Sequence, residues 1–402
     1  MDRLEKAQQL VEKIAEGMPE QRMPICFDEL TKIINKWLLL IDNDVIRVIT
    51  AVVIANKLKS DPVWLFLIAP SGGAKTEIIR GLNKLEKIYP ISDLTAQTFL
   101  SGEKSNPKAS LLLRLEYGTI ITYKDFTTVL TMHREKRHAI LSQLREIFDG
   151  YFRKEFGTGE TKDWEGKIGF IAGVTPIIDK HSSIYATLGE RFLQYRLPQP
   201  DGIELSLRAI NNSGEEDNSR NEIANAFADY IAGVEIPKEK IPISEEFKVN
   251  VAYLSSFCVR ARSGVVREGY SSREIEFVPH PEVPTRFSKQ LITIASAFYL
   301  MNGNKLTPND YRLIYKIGMD CLPLIRKTVI ELLLKNENYI STTEVATEIK
   351  YPTTTARRTL EDLHALQIVE RLSGGQGKAD EWIIKETYRD MLKIIHPDSE
   401  NI

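Results

Sequence analysis

Cysteine is scarce in this sequence. Its 402 residues include only Cys26, Cys258 and Cys321, and none of them stands in a Cys-x-x-Cys pair or beside a pair of histidines. This spacing argues against a disulfide framework and against a cysteine-based zinc site. It is the usage expected of a protein in a reducing cytoplasm.

Long apolar runs and an excess of charge are also missing. The apolar stretch 48–55 is interrupted by Thr50 and is too short to span a bilayer. The first 21 residues are charged and amphipathic, unlike a signal peptide. The formal net charge is −2, so any contact with nucleic acid must come from local basic patches. We expect a soluble cytoplasmic protein of two or three domains.

What the sequence does contain is a strand, a small-residue loop and a helix in the order of a phosphate-binding loop. The apolar run 63–68 predicts a buried strand, and a helical pattern begins near Thr76. Between them lie the residues expected to contact phosphate: Ala69, Pro70, Ser71, Gly72, Gly73, Ala74 and Lys75. In such a loop, backbone amides and the helix N-terminus cradle the phosphates of ATP, the lysine reaches the β and γ phosphates, and the threonine holds Mg²⁺.

The loop departs from the usual G-x-x-x-x-G-K-[ST] pattern at two positions, because Ala69 and Ala74 replace both flanking glycines. Alanine is tolerated wherever the backbone does not need a positive φ, and we expect neither position to need one. The alternative is an incidental strand-to-helix turn that binds no nucleotide.

A second predicted strand ends in an acidic residue. The β-branched run 119–123 is followed by Asp125, 50 residues after Lys75. Phosphoryl transfer needs a carboxylate there, either to hold the metal or to orient the attacking water, and Asp125 is the candidate. The usual Asp-Glu pair is absent, so the general base stays open, with three further acids nearby: Glu116, Glu146 and Asp149. A surface aspartate that ends a strand is the alternative.

Three other residues are candidates for contact with the phosphates. Thr175 follows a predicted buried strand, 168–174, and its hydroxyl would bind the γ-phosphate or the water if that strand lies beside the acidic one. Arg191, in Gly-Glu-Arg-Phe, is either an arginine finger or an ordinary salt-bridge partner. Arg286, at the start of a predicted helix, either reaches back to the phosphates or serves as a helix-end charge.

Two regions have the charge pattern of DNA contacts. Alternating residues at 151–156 and 162–169 predict a basic hairpin whose Arg153, Lys154 and Lys162 would pair with phosphates; a purely structural hairpin is the alternative. Three helical patterns and a Gly-rich turn after residue 323 predict a winged helix-turn-helix. Its contacting residues would be on the second motif helix: Thr354, Thr355, Arg357 and Arg358. Winged domains also bind proteins, which is the alternative here.

The order of these features resembles AAA+ ATPases. The phrases DPVWLFLIAPSGGAKTE, YKDFTTVL, GKIGFIAGVTPIID and GERFLQYRLP are similar to ATPases carried by phages and other mobile elements. The hairpin before the polar strand tip, together with Arg286 in a displaced lid, is similar to minichromosome-maintenance and superfamily III helicases. The resemblance covers about residues 40–400.

The resemblance implies an α/β fold with a parallel-sheet ATPase core at residues 61–200. A helical N-terminal region (1–60) would precede it, and a helical lid (201–322) and a winged helix (323–402) would follow. It assigns Walker A to Lys75 and Thr76, Walker B to Asp125, sensor 1 to Thr175 (commonly Asn in the family), the finger to Arg191 and sensor 2 to Arg286.

The resemblance also implies an activity. ATP and Mg²⁺ would bind between the subunits of a ring, which the resemblance implies to be a hexamer, and Lys154 and Lys162 would grip DNA in a central channel. The function expected first is a DNA-dependent motor, a replicative-type helicase of a mobile genetic element. The alternatives are an ATP-controlled DNA-binding initiator or regulator that does not unwind DNA, and a nucleotide-locked assembly module with little turnover.

Overall fold

The computed structural model describes residues 22–103, 109–157, 159–181, 190–268, 274–375 and 378–398. The amphipathic pattern that we identified in residues 4–14 lies outside these ranges. None of the helices in the described ranges combines the length and the apolar character needed to cross a membrane.

A sheet of five parallel strands forms the centre of the α/β region. Its strands are β1 (Trp64–Ile68), β2 (Ile88–Ile91), β3 (Thr119–Tyr123), β6 (Ile168–Val174) and β7 (Phe192–Arg196). They are ordered β2-β3-β6-β1-β7. β1, β3 and β6 are buried along their whole length because helices cover both faces of the sheet. The predicted strands are confirmed, and so is the expectation that the Thr175 strand lies beside the acidic strand.

The two faces of the sheet are covered by different parts of the chain. One face packs Trp64, Phe66 and Phe170 against α4 (Thr127–Leu130) and α5 (Arg134–Phe148). The other face packs against helices from four regions: α1 (Phe27–Trp37), α2 (Asp44–Lys57), α3 (Lys75–Arg80) and α7 (Glu216–Ala232). The connection from β1 runs across the sheet in the opposite direction to the later connections. Ligands of open α/β sheets bind at such a reversal, beyond the carboxyl ends of the strands.

The sequence of residues 126–149, with its basic middle, predicts one long helix, but the structure has two helices there. α4 ends at Leu130, and the chain turns at residues 131–133 before α5 begins at Arg134. Arg137 Nη1 donates to the Leu130 carbonyl oxygen over 2.9 Å and stabilises this turn. The hairpin predicted next is present, with β4 (Tyr151–Glu155) antiparallel to β5 (Thr161–Glu165).

The segment 201–222 is helical, although its polar composition predicted a boundary or an exposed loop. Asp201 caps α6 (Gly202–Asn211) by accepting from the amides of Ile203 and Glu204, and α7 begins at Glu216. α6 buries none of its residues, so Ile203, Leu207 and Ile210 remain exposed. The composition was misleading because the polar residues lie mainly at 212–220, after α6, whereas α6 itself is half apolar.

A helical layer follows and joins the sheet to the C-terminal domain. It contains α8 (Glu245–Ala261), α9 (Thr285–Met301) and α10 (Pro308–Asp320), with a short antiparallel ribbon of β8 (Val266–Arg267) and β9 (Ile275–Phe277) between α8 and α9. α9 packs on α2, and α10 packs on β7. The layer therefore rests directly on the sheet and its N-terminal helices.

The C-terminal domain contains three helices, a three-stranded sheet and a final helix. These are α11 (Leu324–Lys335), β10 (Ile340–Ser341), α12 (Thr342–Glu348), α13 (Thr353–Ala365), β11 (Val369–Leu372), β12 (Glu381–Ile384) and α14 (Glu386–Ile395). The predicted capping box is present, because Ser341 Oγ accepts from the Glu344 amide while the Glu344 carboxylate accepts from the Ser341 amide. A helix-turn-helix with a β-wing is the arrangement expected from the sequence.

Candidate nucleotide site and DNA-binding domain

The predicted phosphate-binding loop lies at the carboxyl edge of the sheet, directly after β1. Its backbone turns tightly: the Gly73 amide donates to the Pro70 oxygen over 3.2 Å, and the Ala74 amide donates to the Gly72 oxygen over 3.1 Å. Lys75 is buried, and its Nζ donates to the Pro70 oxygen over 2.9 Å. Burial lowers the pKa of the Lys75 ammonium group, and the nearby Asp125 carboxylate opposes that shift.

Two residues of this loop have a left-handed backbone. Gly72 has φ +83°, and Ala74, immediately before α3, has φ +56°. The expectation that alanine stands only where no positive φ is needed is therefore wrong for Ala74. The tight turn that brings the Lys75 amide to the Gly73 oxygen imposes this backbone, and the alanine Cβ makes the conformation costly by about 1 kcal/mol.

Asp125 and Thr175 lie at the same edge of the sheet, after β3 and β6. Thr127 joins them: its amide donates to Asp125 Oδ1 over 3.0 Å, and its hydroxyl oxygen accepts from the Thr175 amide over 3.0 Å. The Thr127 hydroxyl in turn donates to Thr175 Oγ1 over 3.2 Å. The sequence analysis missed Thr127, whose only signal is a small polar residue two positions after the strand-end acid.

Gly173, near the end of β6, was also missed. A Cβ at this position would lie 2.5 Å from the Lys124 oxygen and 3.2 Å from Lys75 Cδ. Lys124, next to Asp125 at the end of the acidic strand, and Lys75 of the loop therefore lie on either side of a position where only glycine fits.

The side chains at this edge suit a magnesium ion bound together with a nucleotide. Thr76 supplies a hydroxyl and Asp125 an exposed carboxylate, which are the oxygen ligands that Mg²⁺ prefers. Within the described ranges, no group of three or more His, Cys, Asp or Glu residues forms a protein-only metal site. This donor set fits Mg²⁺, which completes its shell with water and substrate phosphates rather than with a protein cage.

A cavity of about 360 Å³ adjoins the loop. Besides residues 72–77, its walls include an apolar group from α1, the following linker and α6: Trp37, Leu38, Leu39, Leu205 and Ala209. Two arginines that the sequence analysis missed, Arg208 and Arg220, line it as well. Arg220 Nε contacts Glu77 on α3 over 3.0 Å, so helix α7 is joined to the phosphate-loop helix.

Arg191 and Arg286 lie at the opposite, amino-terminal edge of the sheet. Arg191 precedes β7, whose first residue pairs with Trp64 at the start of β1. Arg191 pairs with Asp149 over 3.0 Å, and both arginines flank the Phe148 ring, at 5.9 and 6.0 Å from its centroid. Burial, followed by the nearby Arg286 charge, lowers the pKa of Arg191.

This location corrects the expectation that Arg286 reaches back to the phosphates of its own chain. Arg286 pairs with Glu282, which also binds the buried Arg262 over 3.0 Å, and Arg262 binds the buried Glu190 over 3.0 Å. α9 carries Arg286 to the far edge because the helix packs along α2, a long-range contact with no local sequence signal.

The hairpin lysines do not project from the molecule. Lys154 Nζ donates to the Ala96 oxygen over 2.8 Å, and Lys162 Nζ donates to the Ser101 oxygen over 2.8 Å. This contradicts the expectation that their ammonium groups are presented to DNA, because they hold the segment 96–103 against the hairpin. Arg153 is exposed but is paired with Glu155 over 3.0 Å.

The predicted DNA-contacting residues lie along the outer side of α13. Thr354 and Arg357 are exposed, whereas Thr355 and Arg358 are half-buried. The helix is anchored beneath by Arg326 of α11, a buried side chain whose guanidinium binds Asp362 and the backbone oxygens of Ala261 and Ser263. The helix-turn-helix is therefore tied to the end of α8.

Comparison with known protein families finds a match in the C-terminal domain. Residues 326–381, from α11 to the first residue of β12, are similar to the DeoR-like helix-turn-helix domain. A search of curated proteins found no match to the chain. The family match supports DNA binding by the C-terminal domain.

Proposed function

We propose that this chain is an AAA+-type ATP hydrolase that acts on DNA. The observation that carries the proposal is the convergence of Lys75, Asp125 and Thr175 at one edge of a parallel sheet. An ammonium group beside a carboxylate and a hydroxyl is the set that phosphoryl transfer uses. The helix-turn-helix match supports DNA as the partner.

In this proposal each group has a separate task. Lys75 leaves the Pro70 oxygen and binds the β and γ phosphates. The base of the nucleotide packs against the apolar cavity wall around Trp37. Thr76 and Asp125 hold Mg²⁺, which neutralises phosphate charge when bound. Thr175, held by Thr127, is placed to bind the γ-phosphate or the attacking water.

The positions of Arg191 and Arg286 favour ATP hydrolysis between subunits over hydrolysis within one chain. The rise of a five-residue strand separates Arg191 and Arg286 from the phosphate loop of their own chain by roughly 16 Å. A neighbouring copy in a ring would bring this edge to the loop, and Arg191, which is buried and paired with Asp149, would have to leave that pair to act as an arginine finger in trans. The proposed ring, a hexamer by resemblance, makes the nucleotide site a property of two chains.

The leading function is a DNA-dependent motor, the replicative-type helicase of a mobile element that the resemblance implies. A specific observation favours the second candidate, an ATP-controlled initiator or regulator. Lys154 and Lys162, the residues expected to grip a translocating strand, are engaged by backbone oxygens. A strand-displacement assay separates the two, because only the motor opens a forked duplex when ATP is added.

The ATPase itself is tested by Lys75→Ala. We expect this variant to lose ATP hydrolysis with and without DNA. Lys84→Ala, which removes an exposed lysine bonded to Asn225, is the matched control and should retain it. Hydrolysis by Lys75→Ala at the rate of the control would overturn the proposal.

A further inference from the structure

The outer side of α13 forms the floor of a groove of about 490 Å³. The wing strand β11, with Arg371, borders it on one side, and the β8–β9 ribbon, with Arg267 and Ile275, borders it on the other. The ribbon belongs to the helical layer and lies outside the segment that matches a helix-turn-helix family. A part of the chain with no assigned role thus adjoins the recognition helix.

The charges in the groove favour an anion. Four arginines line it, against the two glutamates Glu274 and Glu361. Arg371 pairs with Asp380 over 2.8 Å. By contrast, within the described part of the chain the Arg357 and Arg358 side chains have no ion pair or side-chain hydrogen bond. Two uncommitted guanidinium groups in one groove present the planar donor fork that binds phosphate.

Arg267 neutralises two carboxylates that would otherwise oppose phosphate binding. Glu361 and Asp362, on the second half of α13, would repel a phosphate backbone. Arg267 pairs with Glu361 over 3.1 Å and with Asp362 over 2.7 Å, and it also donates to the Arg358 backbone oxygen over 3.0 Å. One side chain from the ribbon therefore neutralises the acidic half of the recognition helix and holds its position.

We infer that this groove binds the sugar-phosphate backbone of duplex DNA, so that the β8–β9 ribbon is part of the DNA-binding surface. Arg357 and Arg358 bind phosphates, and Arg267 is a positioning residue. The exposed Thr354, near the N-terminus of α13, is left to contact base edges, as the first residues of recognition helices do. The inference deepens the DNA-binding part of the proposed function and rests on it.

The test is fluorescence anisotropy of the full chain, without nucleotide, on a labelled duplex of mixed sequence between about 50 and 200 mM KCl. Arg358→Ala should weaken binding about tenfold and reduce the slope of log K against log salt by about 0.9, the value for one lost phosphate contact. Arg358→Lys keeps the charge and should retain most of that slope.

The role of Arg267 is tested by rescue. Arg267→Ala should weaken DNA binding by exposing the carboxylates, and adding Glu361→Gln should restore much of the lost affinity. If Arg267 only maintained the fold, adding Glu361→Gln would not restore the DNA affinity. The matched control is Arg312→Ala, which breaks a surface ion pair with Asp44 far from the groove and should bind DNA as the wild type does.

The outcomes separate this inference from the proposal on which it rests. If the wild type binds duplex but Arg358→Ala has unchanged affinity and salt slope, the groove assignment is overturned while DNA binding stands. If Glu361→Gln rescues nothing, the role of Arg267 is overturned. If the wild type does not bind duplex at all, the DNA-binding part of the proposed function fails, and this inference fails with it.

Discussion

Gly173 offers a sharp test of how the proposed nucleotide site is built. In Gly173→Ala, the new methyl would begin 2.5 Å from the Lys124 oxygen and 3.2 Å from Lys75 Cδ. The Gly173 oxygen also accepts from the Phe126 amide over 2.7 Å, so β6 cannot simply slide away from the acidic strand end. The backbone that carries Asp125 must therefore move by roughly half an ångström or more to reach a normal contact distance.

The magnitude follows from this displacement. Overpacking of a close-packed interior costs about 1–3 kcal/mol of folding free energy. A misplacement of about 1 Å at a phosphoryl-transfer site can cost about a hundredfold in rate. For the smaller shift expected here, Gly173→Ala should lower ATP turnover by about ten- to hundredfold.

Gly169→Ala is the matched control, at the other end of the same strand. Its methyl would lie 2.7 Å from Asn56 Cγ, and the Asn56 amide bonds both backbone groups of Val63. We expect a comparable loss of unfolding free energy in denaturant, without a change near Lys75. Binding of a fluorescent ATP analogue and phosphate release would be measured for both variants. Equal turnover in Gly173→Ala and Gly169→Ala would refute the reasoning.

Two further predictions concern stability. Ala74→Gly should raise the free energy of unfolding by about 1 kcal/mol because it relieves a positive φ. Gly72→Ala should lower the free energy of unfolding, because Gly72 has φ +83° although the space around it is open. Urea titrations measure both variants, and equal effects of the same sign would contradict backbone strain at these positions. Burial, opposed by Asp61, lowers the pKa of Lys167 to about 8. The unfolded chain then binds more protons between pH 8 and the ordinary lysine pKa of 10.5, so the stability of the wild type relative to Lys167→Met should rise across that window by up to about 3 kcal/mol. Parallel stability curves for the two proteins would contradict the shift.

The central strands and the loop between β1 and α3 could be predicted from the sequence because both depend on local pattern. Strands buried on two faces are continuous apolar runs, and residues 64–68 and 168–174 match the predicted 63–68 and 168–174 almost residue for residue. α6 was missed because the polar run 212–220 that follows it dominates the segment, although α6 itself is half apolar. The break at residues 131–133 was missed because the basic residues around it suit a helix.

Local sequence therefore determined which residues are candidates for chemistry and DNA binding: a lysine after a glycine-rich loop, a carboxylate and a hydroxyl at strand ends, and a helix-turn-helix in the C-terminal domain. Only the tertiary structure decided which of them meet. Strand order brought Asp125 and Thr175 to Lys75, because the carboxyl ends of parallel neighbours share one edge of the sheet.

Helix packing carried Arg286 to the opposite edge. Backbone carbonyl oxygens of Ala96 and Ser101, which are distant in the chain, bind Lys154 and Lys162, the lysines predicted to contact DNA. The ribbon lies against α13, where Arg267 pairs with Glu361 and Asp362. Contacts of this kind join residues far apart in the chain, and their energies depend on distances that no local pattern records.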